Sequence, residues 1–491
     1  MPLTPARLVG SVALLLALAA SPAAAQGDEK KADLKPSISI SVEAEIPGAY
    51  RSRAITRVLD RDAEQGGEFF LAPEIAIRAV ARLPKGVEVV TRIRNARLEA
   101  DLHDSDTWGT DANRTVPGRS DAAASLDLAY LRINSLFWKE LSLKAGLQDF
   151  SLSLRGPGDA FFAAPRRSEP ALMSPVTESA AGGSLYGGAA PDGTTPATSG
   201  LFRDESAAAG LRVTWNAFSR SLLFVDAFWF TVLEGGVRHA DERFYGVNAD
   251  LLLPVVQDRP SLVNVLFAGI ENDRTGSQIW TAGIGLDIVP AAPEGLDVWA
   301  EFYWQFGRYA EPSSHLVRQS AFAGRAGVKI PLDFLPGKPT VEPSFWIITG
   351  DDGNPARHLN RDFVSYENIN EALIVEDALY GLDIDSNTIS GRIRATARAR
   401  ILSNDDLRFD FLYAYFLLYR EPDRAGGAKT DPGRRLGHEI DLRVTFDVTE
   451  QLSFSVFAGA LLDSQWLAAS GAYDTHSRNA FLGGLQVSVG F

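Results

Sequence analysis

The chain has 491 residues, no cysteine and a formal charge of −14. The lack of cysteine excludes a disulfide framework and any thiolate metal site, and the acidic balance argues against a nucleic-acid partner, which needs a basic surface. No run beyond residue 25 approaches the roughly 18 apolar residues of a membrane-crossing helix, so any membrane reading must rest on strands.

Residues 1–25 carry Arg7, an apolar run through Val12, Leu14, Leu15, Leu16 and Leu18, and the small residues Ala23, Ala24 and Ala25. This pattern is that of a secretory signal peptide with cleavage expected after Ala25. Residues 26–36 are expected to form a short periplasmic segment, and 37–491 the folded body. From there the alternation has period two, which is the signature of strands with unlike faces. Over 37–46, Ser37, Ser39, Ser41, Glu43 and Glu45 oppose Ile38, Ile40, Val42, Ala44 and Ile46. Over 74–83, Glu74, Arg78 and Arg82 oppose Ile75, Ile77, Ala79, Ala81 and Leu83. The stretch 87–102 changes parity part-way, which predicts a bulge near Asn95. Residues 222–233 are apolar on both parities apart from Asp226, so their facing is ambiguous.

Later segments alternate more cleanly. Val298, Ala300, Phe302, Trp304 and Phe306 oppose Asp297, Glu301, Tyr303 and Gln305; Phe409, Phe411, Tyr413 and Tyr415 oppose Arg408 and Asp410; Ile440, Leu442, Val444 and Phe446 oppose Asp441, Arg443 and Thr445. The strongest pattern spans 391–401, where Arg392, Arg394, Arg398 and Arg400 share one parity with Thr396, and Ile393, Ala395, Ala397, Ala399 and Ile401 share the other. A row of cations cannot be buried dry, so one side of this strand faces water and the other an apolar medium. The last eleven residues alternate again and stop on Phe491, an ending similar to the C-terminal strand signal by which bacterial outer-membrane barrels engage their assembly machinery.

The connections sort into two sets. Eight short links, such as 84–86, 257–260 and 449–451, alternate with nine longer ones at about 47–70, 102–124, 150–208, 234–243, 272–278, 307–318, 350–386, 420–435 and 464–477. Short turns on one side and long loops on the other are the mark of an up-and-down membrane barrel. The expected fold is therefore all-β, a transmembrane up-and-down antiparallel β-barrel of about 18 strands, with 16 as the alternative, in the outer membrane of a Gram-negative bacterium. The loop 151–208, rich in Gly, Ala, Pro, Ser and Thr, reads first as a surface loop and second as one that folds inward to narrow the channel.

Several stretches resemble the alginate-export family of outer-membrane barrels: Leu143-Lys-Ala-Gly-Leu-Gln148, residues 298–307, residues 321–327, residues 338–352 with Thr349, Gly350, Asp351 and Asp352, and Leu436-Gly-His-Glu-Ile-Asp-Leu442. The resemblance implies an eighteen-stranded monomeric channel with an arginine-rich pore for a polyuronate. The chain departs from the pattern at Leu147, where a basic residue is expected, and in carrying the lumen acids Glu301, Glu439 and Asp441.

A barrel of this size encloses an aqueous channel. Parity points Arg78, Arg82, Arg92, Arg94, Arg132, Lys144, Arg325, Lys329, Arg392, Arg394, Arg398, Arg400 and Arg443 inward as a substrate path. Guanidinium forks suit carboxylates, although each arginine could equally brace the wall against acids such as Glu43, Glu74 or Asp441. The four from Arg392 to Arg400, with no acid among them, are the ones expected to face an anion. Trp215, Trp304, Tyr413, Tyr415 and Tyr419 fall on the lipid-facing parity, where interfacial girdles and ordinary packing explain them equally.

No enzyme is expected. The six histidines, His103, His239, His315, His358, His438 and His476, lie in loops or at strand ends without metal-ligand spacing, and Asp474, His476 and Ser477 are neighbours in sequence rather than a triad. Asp351 and Asp352 read as a solvated turn before a cation site. No cofactor is expected. The partners to expect are an anionic polysaccharide, outer-membrane lipid and lipopolysaccharide, the barrel-assembly machinery through Phe491, and periplasmic export proteins. Three functions follow in order: export of an anionic exopolysaccharide, a general or small-solute anion-selective porin, and an adhesin or structural barrel.

Overall fold

The computed structural model describes residues 36–52, 55, 68–71, 74–95, 100–101, 124–149, 207–216, 223–233, 242–256, 259–273, 276–290, 296–310, 316–350, 358–364, 371–376, 382, 384, 387–400, 407–420, 433–449, 451–470 and 478–490. Residues 1–35, Asp351, Asp352, Asp474, His476, Ser477, Phe491 and loop positions 151–206 lie outside them, so the signal peptide, the acidic turn, the polar triplet, the assembly signal and the long polar loop are not described. No helix among the described residues is long and apolar enough to cross a membrane.

One sheet contains 21 strands; three are short flaps (Glu68–Leu71, Ala100–Asp101 and Leu359–Asn360) and the other eighteen form the wall. In chain order these are β1 (Ser37–Arg51), β2 (Glu74–Leu83), β3 (Val87–Asn95), β4 (Ala124–Ile133), β5 (Leu141–Asp149), β6 (Ala207–Asn216), β7 (Leu223–Leu233), β8 (Glu242–Val256), β9 (Arg259–Asn272), β10 (Ser277–Ile288), β11 (Asp297–Ala310), β12 (Leu316–Pro331), β13 (Thr340–Ile348), β14 (Thr388–Ala399), β15 (Leu407–Leu418), β16 (Arg435–Thr449), β17 (Leu452–Leu462) and β18 (Ala480–Gly490). Each wall strand pairs antiparallel with its neighbours in this order. β1 closes on β18 from Glu43 opposite Gly490 to Arg51 opposite Leu482. The result is a closed eighteen-strand barrel.

Burial follows the period of two. On β11, Phe302 and Trp304 are 47% and 46% exposed while Tyr303 between them is 1% exposed. The outward set, including Ile77, Trp229, Phe267, Ile284, Phe345, Ile393 and Leu442, forms the apolar belt. The inward set is mixed. β7–β12 turn Phe228, Phe230, Phe244, Leu266, Ile270 and Ile279 inward, where they pack with Tyr303, Trp346, Phe363 and Val364. This explains why 222–233 is apolar on both parities: Trp229 faces lipid, and Phe228 and Phe230 face a packed interior. A second inward cluster at the long-loop end joins Leu412, Ala414, Phe416 and Leu418 to Ile55, residues 372–375, and Trp466 and Leu467 of the one-turn helix α1 (Gln465–Ser470).

Near the bulge expected at Asn95 the register shifts between Arg92 and Ile93, where Arg92 faces Leu128 and Ile93 faces Leu126, but the described part of β3 keeps one parity, and residues 96–99, where the parity change is expected, lie outside the described residues. The extra residue is thus Asp127 on the neighbouring strand β4, because a bulge re-registers a pair wherever the surplus residue sits.

Two glycines from the sequence motifs have a backbone reason. Gly146 (φ +122°) and Gly437 (φ +126°) hold a conformation that L side chains rarely adopt, and a Cβ would meet the carbonyl oxygen of Ala129 or of Leu462 on the adjacent strand. Gly437→Ala should therefore destabilise the barrel by more than the roughly 1 kcal/mol that a Gly→Ala change can add in stability at a compatible position. Gly391→Ala, with nothing within 4 Å of the added methyl, should be neutral. The midpoint of heat modifiability on electrophoresis reads both, and equal midpoints for the two variants would refute the steric account.

Candidate functional site

The lumen is built from the inward parity, and the first question is which of its cations remain available. Arg325 on β12 faces Glu301 on β11 across the ladder, forms an ion pair with it, and stacks 4.7 Å from the Trp346 ring; its side chain is 3% exposed. Arg392 lies 3.7 Å from the same ring on its other strand neighbour. Its Nε donates to Ser390 Oγ at 2.8 Å, and its guanidinium is paired with the buried carboxylate of Glu376, donating from Nη1 to Oε2 at 2.9 Å. Burial pushes the Glu376 carboxyl up from its ordinary value, against the pull of Arg392.

Arg392 therefore differs from the expectation for the four-arginine row. No acid stands near it on its own strand, but one arrives from the β13–β14 connection, a long-range pairing that strand periodicity cannot carry. The others of that row are less enclosed. Arg394 stands opposite Glu342 in register, and Arg398 and Arg400 are exposed towards the short-turn end. Arg443 lies 5.5 Å from the Phe457 ring. Lys329 is opposite Asp297.

A second set of cations lines β2–β5. Arg78 faces Arg92 in register, Arg82 makes a 3.5 Å ion pair with Glu88, Arg132 faces Lys144, and Lys144 sits 4.1 Å over the Tyr130 ring. The side chain of Arg94 lies outside the described residues. Arg212 on β6 extends this set and was missed by the sequence reading. It binds both oxygens of Asp226 on β7, at 3.1 and 2.7 Å. The signal that could have found the pair was Asp226 itself, the one charge in an otherwise apolar strand.

The strongest constraint on the lumen comes from the β13–β14 connection, which folds inward. At one wall, Gln305 and Val364 exchange two hydrogen bonds, Nε2 to the carbonyl and N–H to Oε1, each 2.8 Å. Beside them Gln319 Nε2 donates to the Asp362 carbonyl at 2.7 Å. At another wall, β16, Leu373 N–H donates to Asp441 Oδ2 at 3.0 Å, and Ile374 and Val375 N–H donate to the two oxygens of Glu439 at 2.5 and 3.0 Å. Buried amides without a strand partner need acceptors, and a carboxylate is the strongest available. The acids Glu439 and Asp441, which depart from the motif pattern, are thus receptors for the loop backbone. The other departure has a reason as well: Leu147 lies on the outward parity of β5, opposite Ala129 and Ala209, where a cation would meet hydrocarbon. Gln148 is fully buried and donates to the Gly210 carbonyl at 3.0 Å.

No family model and no curated protein matches the chain. Solved structures do. The chain is similar to OccAB1 of Acinetobacter baumannii (11% identical, 92% of this chain and 96% of that one covered, TM-score 0.52). It is also similar to OccK9 (OpdG) of Pseudomonas aeruginosa (12%, 92% and 98%, 0.52) and to a BenF-like porin from Pseudomonas fluorescens Pf-5 (11%, 92% and 98%, 0.52). The chain is an outer-membrane β-barrel with the fold of porins. At these identities the likeness is one of fold, and it does not extend to the alginate-export family suggested by the motifs.

The Arg392–Glu376 pair sits under the in-folded connection, both side chains 1% exposed. Arg392→Ser alone leaves a buried carboxylate without its cation, a loss of roughly 3–5 kcal/mol. The double change R392S/E376Q should cost less than R392S alone. Hydrogen exchange at amides 372–376 reads both, and equal losses in single and double variants would show that the pair does not secure this segment.

Proposed function

We propose that the barrel is a narrow channel for small, negatively charged solutes, the second of the readings that the sequence left open. The observation that carries it is the in-folded β13–β14 connection, held on β11 and β12 through Gln305 and Gln319 and on β16 through Glu439 and Asp441. A loop fixed at two walls reduces the cross-section that a solute can use. It also removes Arg392 from the surface that a solute can touch.

The remaining path runs along β14–β18, β1 and β2–β5. There the inward groups include the cations Arg78, Arg132, Lys144, Arg394, Arg398, Arg400 and Arg443, hydroxyls such as Ser41, Thr396, Thr445 and Ser455, and the fewer acids Glu43, Glu88 and Asp410, of which Glu88 pairs with Arg82 and Asp410 with Arg408. Fixed cations against a low-dielectric wall concentrate anions and repel cations, and hydroxyls offer weak, exchangeable hydrogen bonds. Carboxylates of modest size are the natural solutes for such a surface. Export of a polyuronate is the weaker reading, because it needs an unobstructed row of guanidinium groups and Arg392 is occupied by Glu376.

Planar-bilayer recording tests this. The wild-type channel should show small unitary currents and reversal potentials that favour anions. Replacing Arg78, Arg92, Arg132 and Lys144 together by Ser should move the reversal potential towards cations. E439Q/D441N, which weakens the acceptors of amides 373–375, should enlarge the unitary conductance. A large wild-type conductance blocked by a polyuronate but unaffected by monomeric carboxylates would return the polymer reading to first place.

A further inference from the structure

On the outer wall at the long-loop end, one row of outward-facing positions across β8–β12 is Arg243, Glu271, Gln278, Arg308 and Arg318, each opposite the next in the ladder, with only Ala310 and Leu316 beyond it on β11 and β12 among the described residues. The first three are matched locally: Arg243 pairs with Asp273 at 2.7 Å, and Gln278 Nε2 donates to Glu271 at 3.4 Å. Arg308 and Arg318 are different. They face each other directly on adjacent strands, both are exposed, and among the described residues neither side chain has an ion-pair partner. Like charges directly opposite in a sheet are destabilising, so an anion bound between them would stabilise this pair.

The level of the pair identifies the anion. Two residues towards the membrane centre the same strands carry Tyr245, Trp280 and Phe306, and the next rung carries Phe267, Trp304 and Phe322. These rings contact one another, with Phe267 and Trp280 at 5.4 Å, Tyr245 and Trp280 at 5.5 Å, and Trp304 and Phe306 at 4.9 Å. Aromatic belts mark the boundary between hydrocarbon and headgroups. Groups one rung above such a belt, pointing away from the lumen, lie among lipid headgroups.

We propose that Arg308 and Arg318 form a binding site for the phosphate of an outer-leaflet glycolipid, with acyl chains against the Trp280–Phe306 belt below. Two guanidinium forks side by side can each grip phosphate oxygens in a bidentate manner, which a single cation or a lysine pair cannot do. The site does not depend on what passes through the lumen.

The test uses the full chain in neutral detergent micelles, titrated with bisphosphorylated lipid A and with its dephosphorylated form, bound lipid being read by native mass spectrometry. The phosphorylated lipid should bind about tenfold tighter or more. Arg308→Gln with Arg318→Gln should abolish that preference, and Arg243→Gln, whose cation is already matched by Asp273, should keep it. Equal binding of both lipids by the wild type, or an undiminished preference in the double variant, overturns the proposal. Competition by inorganic phosphate alone, at the concentration of the lipid, would assign the site to a free anion and overturn the lipid. If the double variant fails to assemble, Arg308→Gln and Arg318→Gln singly should each weaken the preference while Arg243→Gln keeps it, and an unchanged preference in both single variants overturns the proposal.

Discussion

The structure depends on one constraint, the need of every backbone N–H and C=O in the hydrocarbon layer to find a partner within the protein. An open sheet of eighteen strands would leave two edges unpaired, each a row of unsatisfied groups. Pairing of β1 with β18 along nine residues removes both. Once the wall is closed, every strand has one face towards lipid and one towards the lumen, and the two faces obey different rules. The outer face must be apolar. The inner face may hold charges, provided that water or other side chains reach them.

That freedom is used in two ways inside the same barrel. On β7–β12 much of the inner face is apolar and packs against Phe363 and Val364, so this part of the lumen behaves as a protein core. On β16 the inner face carries Glu439 and Asp441, which accept amides from residues 373–375. Both serve the same end by different physics. The apolar patch holds the loop through area removed from water, and the carboxylates hold it through directional bonds that would be expensive to leave unmade. A loop secured only by apolar contacts could slide over them; the Glu439 fork fixes its register to two successive amides.

Much of the wall was legible in the amino-acid sequence because period-two alternation is a local property. The strand 74–83 was read with its bounds unchanged, and Arg392 and Ile393 were assigned to opposite faces. The contents of the lumen were less legible, because they depend on contacts between residues far apart in the chain. Glu376 reaches Arg392 only when a 39-residue connection folds back into its own barrel, and nothing in the spacing of the arginines announces this. Residues 222–233 defeated the parity rule for a related reason: the rule assumes a wet interior, and here the interior is packed. The motif glycines Gly146 and Gly437 stood out in the sequence for their resemblance to a family, yet the structure gives them a backbone role that any closely paired strands could demand.

The distribution of charge inside the barrel also bears on what the channel can do. Of the cations matched by acids, Arg325, Arg392 and Arg212 lie where the packed patches narrow the lumen, and Arg82 and Arg408, paired with Glu88 and Asp410, lie towards the short-turn end. Arg132, Arg398 and Arg400 are exposed near the short-turn end, which faces the periplasm. A fixed charge cannot by itself move a solute up a gradient, because it binds equally whichever side the solute came from. On the proposed reading, net movement would follow the concentration difference along the cations and hydroxyls beside the fixed β13–β14 connection, because the guanidinium groups at the packed patches are already held by acids.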